Sequence, residues 1–291
     1  MLSSILLASD GSEASDRGIE WAKELARRGV RRVTLAHVFN VRDVGGLYEQ
    51  LKQSMLPRLE AQRRILEDAG LQVTIEIPLG LPFIEVKRLA AERHASAIVV
   101  GSLGASFIGD VLLGSTAYAV LQTATRPVLL IRIELTDGGD AGRRCRAVCG
   151  ELCGHILFPT DFSDTAERAF SYLEHLVRET QAEVTLLHVQ DKTKIERHLR
   201  HKLEEFNRID AERLERLKLR LEQSRPRAVH VDIPYGSPTA VILERARSNA
   251  FSLILMGSQG RGFIQEVFVG SVAHNVARHA PLPVLFVPAV R

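Results

Sequence analysis

The sequence predicts two tandem α/β domains, each a doubly wound, five-stranded parallel sheet with helices on both faces. Three observations support this prediction. Short apolar runs alternate with helical patterns five times in the first half of the chain, as is typical of a parallel sheet. The same series restarts at Ile156. The length of 291 residues suits two domains of about 140 residues, each able to bury a core.

The first repeat shows the alternation in order. Helical spacing of apolar residues predicts a helix that follows Asp10 and ends at Gly29, a residue that tolerates the backbone of a helix C-terminus. The other helices are predicted at about 47–69, 82–94 and 115–125. The strands are predicted at the apolar runs 3–9, 33–39, 73–78, 97–100 and 127–133.

The second repeat contains segments similar to those of the first, in the same order. ILLASDGSEASDRGI is echoed by ILFPTDFSDTAERAF, and RVTLAHVF is echoed by EVTLLHVQ. Asp161 follows Asp10 by 151 residues, whereas Gly270 follows Gly114 by 156. Five residues were therefore gained inside the long helical segment of the second repeat, 192–223. The apolar stripe of this segment suits either packing on its own sheet or a coiled coil with a partner.

The duplication predicts a first domain over 1–133, a linker over 134–154 and a second domain over 155–291. The first half of the linker is flexible by composition, since it is rich in glycine and aspartate. This pattern predicts two folded units joined by a mobile connection.

Three cysteines lie in the second half of the linker. The spacing of Cys145, Cys149 and Cys153 would put them on one face of a helix or of a strand. With His155 they could form a metal site, although the spacing fits no common zinc framework. Redox sensing and simple packing of small buried side chains are the alternatives. The odd number and the absence of an export signal argue against a disulfide framework.

Both repeats carry the same glycine motif between a strand and a helix. Gly101–Ser115 reads GSLGASFIGDVLLGS and Gly257–Ser271 reads GSQGRGFIQEVFVGS, so each has G-x-x-G, nine residues and Gly-Ser. Backbone N–H groups of such a loop can converge on an anion, and the following helix adds the positive end of its dipole. Because ligands bind at the carboxyl ends of parallel strands, the motif predicts one phosphate site per repeat.

Polar residues also end the first two strands of each repeat. Asp10 and Asp161 follow strand one, where a carboxylate can accept hydrogen bonds from an adenine amino group or a ribose hydroxyl, or can cap the next helix. His37 and His188 end strand two, where each suits packing at the strand end or contact with a ligand. These residues are expected at the same sheet edge as the glycine loop.

Composition narrows the class of protein. The net charge is +3, and basic residues are interleaved with acidic ones, which favours a solvated surface over a nucleic-acid-binding patch. The N-terminus lacks the basic region of a secretory signal, and no apolar run approaches the length of about 20 residues that spans a bilayer. A soluble, cytoplasmic protein is the expectation.

This constellation resembles the universal stress protein family, in particular its nucleotide-binding branch, whose motif is G-x-x-G, nine residues and G-S/T. The D-x-S sequences at Asp10 and Asp161 are also typical, and the resemblance covers nearly the whole chain as two copies. It implies an adenine nucleotide α-hydrolase-like fold with strand order 3-2-1-4-5. It further implies that the last strands of the repeats pair antiparallel, so that one chain forms a pseudo-dimer like the family's homodimer.

The resemblance also implies a site for ATP or AMP, with or without Mg²⁺, in each repeat. The residues near adenine would be Asp10, Val38 and Gly101 in the first repeat and Asp161, Val189 and Gly257 in the second. The residues near the phosphates would be Gly104, Gly114, Ser115 and Thr116 in the first repeat and Gly260, Gly270, Ser271 and Val272 in the second.

The two predicted sites differ in sequence. The second keeps the family's common Pro159-Thr160 before its aspartate, where the first has Ala8-Ser9. The second loop carries Arg261 together with Glu266, whereas the first has Asp110 and no Lys or Arg. A cation beside a triphosphate strengthens its binding and a carboxylate opposes it. We therefore predict that the second site binds ATP more tightly and that the first binds weakly or prefers AMP or ADP.

Three functions fit these features. The first is a stress-response regulator or sensor that binds adenine nucleotides without fast catalysis, and it assigns no catalytic residue. The second is a slow ATPase or nucleotide hydrolase, although neither a Walker A sequence nor a second convergent carboxylate is visible. The third is a nucleotide-free interaction module, which the intact glycines disfavour. A homodimer and an unidentified protein partner are further expectations.

Overall fold

A computed structural model describes residues 3–103, 113–137, 143–147, 153–192, 203–248, 250–261 and 269–290. The chain divides into two compact units, Met1–Cys149 and Gly150–Arg291. Each unit has the predicted α/β architecture around a parallel sheet.

The first unit contains a five-stranded parallel sheet. Its strands are β1 (Ser4–Ala8), β2 (Arg32–Ala36), β3 (Gln72–Glu76), β4 (Ala97–Gly101) and β5 (Val128–Ile131). Its longer helices are α1 (Glu13–Arg27), α2 (Tyr48–Glu67), α3 (Pro82–Glu92) and α4 (Ser115–Thr123), and a short helix spans Val41–Val44. The strand order is β3-β2-β1-β4-β5, with every pair parallel.

The second unit repeats this arrangement. Its strands are β6 (His155–Pro159), β7 (Glu183–Leu187), β8 (Val229–Asp232), β9 (Leu253–Gly257) and β10 (Val284–Val287). Its described helices are α5 (Asp164–Thr180), α6 (Leu203–Glu222), α7 (Pro238–Ala246) and α8 (Ser271–His279). The order β8-β7-β6-β9-β10 confirms the predicted order 3-2-1-4-5 in both units.

Helices α2 and α6 occupy equivalent places in the two units. Leu59 and Leu66 of α2 are fully buried, as are Leu214 and Leu221 of α6, and each pair lies 155 residues apart. Four of the five extra residues therefore lie before Leu214 and one lies after Leu221. Since α6 contacts β8, this part of its apolar stripe packs within its own unit, as one of the two sequence interpretations predicted. Among the described helices, none has both the length and the apolar character needed to cross a bilayer.

The segment predicted to be flexible contains an antiparallel pair of strands. Ile133–Asp137 pairs with Arg143–Ala147, and Ile133 is buried. The prediction of flexibility was wrong for these residues, because inter-strand hydrogen bonds can order a polar segment that has no apolar periodicity of its own. Two short parallel pairs, one in each unit, extend from the main strands at Phe39–Asn40 with Leu79–Gly80 and at Gln190–Asp191 with Tyr235–Gly236.

The cysteines do not share one regular element. Cys145 lies in the second strand of this pair, Cys149 lies outside the described residues, and Cys153 is buried with a φ of 68°. Within the described ranges, no three His, Cys, Asp or Glu side chains are grouped as a metal site would require. The burial of Cys153 agrees with the packing interpretation of that residue.

Candidate functional site

In the second unit, the carboxylate that follows β6 meets the glycine loop that follows β9. The Oδ2 atom of Asp161 accepts a hydrogen bond of 2.8 Å from the backbone N–H of Arg261. Its Oδ1 atom accepts bonds of 2.6 Å from the Ser163 hydroxyl and 3.1 Å from the Ser163 N–H. The structure therefore brings together two of the predicted site elements, which are 100 residues apart in sequence.

A serine, rather than the aspartate, caps the helix that follows each aspartate. Ser163 is the N-cap of α5 and its hydroxyl accepts from the Ala166 N–H at 3.3 Å. Ser12 is the N-cap of α1 and accepts from the Ser15 N–H at 3.2 Å. The idea that the aspartates themselves cap these helices was therefore wrong, since each aspartate instead accepts hydrogen bonds from the capping serine.

The second glycine loop packs closely against neighbouring residues at two glycines. A Cβ atom on Gly260 would lie 2.5 Å from the Asp161 Oδ2 atom. On Gly257, it would lie 3.0 Å from the Thr165 Cγ2 atom and 3.2 Å from the Gln259 carbonyl oxygen. Both glycines thus allow the loop to approach the end of β6 and the start of α5.

Gly114 and Gly270 are different, because neither position demands glycine. Both are N-cap residues in the extended region, with φ of −64° and −66°. The nearest atoms to an added Cβ would lie at 3.6 Å, an ordinary van der Waals distance, among the described residues. Contacts among the described residues therefore do not impose glycine at either position.

The helices that begin after these two glycines have no side-chain cap and no acidic residue in the first turn. The Gly270 N–H is already used, since it donates to the Ser258 carbonyl at 2.8 Å, and the Gly114 N–H donates to the Ser102 carbonyl at 2.8 Å. Among the described residues, the first N–H groups of α4 and α8 have no acceptor, and such groups at a helix N-terminus can bind an external anion. Ser115, Thr116, Ser271 and Val272 occupy these positions.

The first unit has a similar strand-end arrangement. The Asp10 Oδ1 atom accepts bonds of 3.0 Å from the Ser12 N–H and 2.6 Å from the Ser12 hydroxyl, and it also accepts from the Ser15 hydroxyl. Gly101 ends β4, and a Cβ atom there would lie 3.2 Å from the Leu103 carbonyl oxygen. Gly104 lies outside the described residues, as do Asp110 and Glu266.

The paired histidines link strand two to strand one. The Nδ1 atoms of His37 and His188 lie 2.9 Å from the Ser9 carbonyl and 2.8 Å from the Thr160 carbonyl, so each Nδ1–H donates. Both rings are buried, which is the packing role that the sequence allowed. Val38 is half-buried and Val189 is buried beside them, and Pro159 ends β6.

The burial of His37 predicts an acid-sensitive first unit. Burial lowers the pKa of His37 below its ordinary value of 6.5, although the Ser9 carbonyl and Asp10 oppose the shift. The unfolded chain then binds more protons near that pH, so the free energy of unfolding should fall from about pH 7.5 to about pH 5.5. Fluorescence of Trp21, the only tryptophan, reports unfolding of this unit.

The replacement His37→Gln should flatten this pH dependence, because an amide can donate to the Ser9 carbonyl but does not titrate. His94→Asn is the control, since His94 is exposed and asparagine tolerates its φ of 49°. An unchanged slope in His37→Gln would contradict the assignment of the pH dependence to His37.

Comparisons with known proteins support this architecture. The model described as the universal stress protein family matches residues 1–132 and 153–288. The chain belongs to the universal stress protein family. A universal stress protein of Mycolicibacterium smegmatis is 27% identical over 300 residues, which cover 97% of this chain and 96% of the relative. The chain is therefore a tandem universal stress protein.

Two further comparisons bear on the units and on the whole chain. Universal stress protein MJ0577 of Methanocaldococcus jannaschii is 32% identical over 151 residues, which cover 45% of this chain and 93% of that relative. The crystal structure of a universal stress protein from Archaeoglobus fulgidus is 27% identical, with a TM-score of 0.72 and 98% of each chain covered. The family resemblance that the motifs implied is thus confirmed.

Sequence reasoning missed three residues next to the second site, Phe162, Arg213 and Arg216. Phe162 is the middle residue of D-x-S, and both arginines lie in α6. They line a cavity together with Arg261. A comparison of the two repeats would have singled out Phe162, because the first repeat has Gly11 at that place.

Proposed function

We propose that this universal stress protein binds one adenine nucleotide in each unit and acts as a stress-response regulator or sensor rather than as a fast enzyme. The observation that carries the proposal is the glycine at the N-cap of α4 and of α8. Neither backbone conformation nor the packing of the described residues requires Gly114 or Gly270. Yet both repeats have glycine at this place.

The chemistry of the surrounding backbone favours a phosphate chain in that space. The first N–H groups of α4 and α8 have no capping side chain, and a helix N-terminus favours negative charge. Hydroxyl groups of Ser115 and Ser271 stand at the same positions and can donate to phosphate oxygens. The proposed phosphate contacts thus combine backbone donors, a helix dipole and a hydroxyl in each unit.

The strand-end residues suit the nucleoside. Asp161 already accepts bonds from Ser163 and Arg261, yet a carboxylate oxygen has more than one lone pair, so an adenine amino or ribose hydroxyl group can still bind. Val38 and Val189 supply apolar contact at the neighbouring strand ends. We propose that Asp10 and Asp161 orient the nucleoside while the glycine loops hold its phosphates.

The second unit is proposed to bind ATP more tightly than the first. Its loop is tied to Asp161 through the Arg261 N–H at 2.8 Å, and the Arg261 side chain is exposed beside that loop. A guanidinium can form paired hydrogen bonds with phosphate, so it should favour the nucleotide with the longer phosphate chain.

Nucleotide retained by freshly purified protein gives the first test. The protein is denatured, and the released small molecules are identified by chromatography and mass spectrometry. We expect adenine nucleotide, with ATP in the second site. If the purified protein carries no nucleotide and calorimetry detects no binding of ATP, ADP or AMP, the nucleotide proposal is wrong. The protein would then be better described as an interaction module that binds no nucleotide.

Substitutions at the open glycines then assign the sites. Gly270→Trp should remove the tighter ATP site, and Gly114→Trp should remove the weaker site, because each indole would fill the space over its loop. Full ATP affinity in Gly270→Trp would overturn the assignment of the tighter site to the second unit. Phosphate release measured over hours with Mg²⁺ distinguishes a binding protein from a slow hydrolase.

A further inference from the structure

The second unit contains a cavity that shares only Arg261 with the proposed nucleotide site. Its volume is about 390 Å³, and its lining residues are Phe162, Arg213, Arg216, Leu217 and Arg261. This volume lies within the range of small-molecule sites, about 300–1,000 Å³. Three of its five lining side chains are arginines, so the chemistry of the cavity is basic.

Phe162 forms the aromatic wall of the cavity. Its ring lies 4.6 Å from the His188 ring on centroids, and the guanidinium carbons of Arg213 and Arg261 lie 5.3 Å and 5.8 Å from its centroid. Its φ of 59° is costly for a bulky residue. The ring thus brings an arginine of α6 and an arginine of the glycine loop to the same place.

The positive charge of the cavity is only partly balanced. Asp210 approaches Arg213 at 3.8 Å, but it also lies 3.4 Å from the His188 Nε2 atom and accepts from the Gln190 amide at 3.3 Å. Within the part of the chain that the structure describes, no carboxylate lies within ion-pair distance of the Arg216 or Arg261 guanidinium. Among the described residues, Asp210 therefore pairs with only one of the three guanidinium groups, and the nearby Asp161 carboxylate accepts from the Arg261 backbone rather than from its side chain.

The first unit has different residues at the equivalent place. Gly11 stands 151 residues before Phe162, so the aromatic wall is missing. The Met55 side chain lies over Gly11, with its Sδ and Cε atoms 2.9 Å from the position of an added Cβ. Met55 thus lies against Gly11, the residue that corresponds to Phe162 in the second unit.

The arginines of α6 are also absent or neutralised in the first unit. Arg58 lies 155 residues before Arg213, but its guanidinium is paired with the Asp16 carboxylate at 2.7 Å. Ala61 stands 155 residues before Arg216. The repeats share one fold, so the basic cavity is a property that the second unit has acquired or the first has lost.

We propose that this cavity binds a phosphate-type oxyanion. Guanidinium groups bind phosphate through paired, charge-assisted hydrogen bonds, and three of them around one cavity favour a doubly charged group over a single carboxylate. The pocket shares Arg261 with the proposed ATP site, whereas Phe162, Arg213, Arg216 and Leu217 belong to the pocket alone. Because Arg261 belongs to both, the anion can be a second phosphate group of a bound nucleotide or a separate phosphate.

Calorimetric titration with inorganic pyrophosphate tests the pocket. It is performed on full-length protein and on the double variant Arg213→Gln/Arg216→Gln, with Gly270→Trp present in both so that the glycine cradle is filled. We expect the Kd to rise about tenfold or more, since two charge-assisted contacts are lost. The single variant Arg216→Gln should show part of this loss, and it removes a side chain that makes no ion pair among the described residues.

Arg208→Gln is the matched control, because Arg208 lies on the same helix, is exposed and pairs with Glu212 instead of facing the cavity. It removes the same charge and should change the Kd by less than about twofold. An equal loss in Arg208→Gln, or a loss of less than about twofold in the double variant, would overturn the proposal. Failure of the nucleotide proposal would show instead as absent ATP binding while arginine-dependent pyrophosphate binding persists.

Nucleotide titrations distinguish the two sources of the anion. If adenosine 3′,5′-bisphosphate binds about tenfold more tightly than AMP and loses this advantage in Arg213→Gln/Arg216→Gln, the nucleotide carries the second phosphate. If pyrophosphate binding depends on the arginines but the bisphosphate has no advantage, a separate phosphate occupies the pocket. Either result supports a phosphate pocket, whereas arginine-independent binding of both probes would exclude it.

Discussion

Gly260→Ala is expected to weaken ATP binding at the second site by about tenfold to a hundredfold. The new methyl group would begin 2.5 Å from the Asp161 Oδ2 atom, which is held by the Arg261 N–H at 2.8 Å. The carboxylate and the loop cannot both keep their places. Loss of one hydrogen bond to a charged group costs about 1.5–3 kcal/mol, which gives this range of affinity. Calorimetric titration with ATP measures the change.

A double-mutant cycle tests whether Gly260→Ala weakens ATP binding by displacing the Asp161 carboxylate. In an Asp161→Ala background, the methyl group at residue 260 has no carboxylate to displace. Gly260→Ala should then add little to the loss that Asp161→Ala already causes, so the two effects should not be additive. If the two losses of ATP affinity are additive, Gly260→Ala changes the loop by a route that does not involve the Asp161 carboxylate. Far-ultraviolet circular dichroism checks that each variant is folded.

Phe170→Ala is expected to lower the free energy of unfolding of the second unit by about 3–5 kcal/mol. Phe170 is fully buried in α5, and its ring makes an edge-to-face contact with Phe158 at 5.6 Å. The Arg220 guanidinium lies 4.7 Å from the ring centroid and is held by two bonds of 2.8 Å to Glu174. Truncation to alanine would therefore leave a cavity and remove the aromatic ring that contacts the Arg220 guanidinium.

Urea unfolding followed by circular dichroism measures this loss, while Trp21 fluorescence follows the first unit separately. Leu219→Ala is the control, because Leu219 is 56% exposed on α6 and should change stability by about 0.5 kcal/mol or less. A shift of less than about 1 kcal/mol in Phe170→Ala would show that the core around α5 can collapse into the vacated space.

Much of this protein could be predicted because its signals are local. Apolar runs such as Leu253–Gly257 are buried on both faces of a parallel sheet, so they stand out without any partner. The glycine motif lies within one stretch of 15 residues, and its repetition at Gly101 and Gly257 made the predicted phosphate sites specific. Ser163, in contrast, was expected to be a motif residue only, and the structure makes it the helix cap.

The sequence by itself determined the duplication, the strand order through the family resemblance, and the location of the glycine loops at strand ends. Tertiary structure alone decided the strand pair at Ile133–Asp137 and the basic cavity of the second unit. Phe162, Arg213 and Arg261 follow one another at intervals of about 50 residues, so no periodicity links them. They meet because α6 packs against β8 and carries Arg213 to the Phe162 ring, and a contact made by packing depends on chain segments that no local pattern connects.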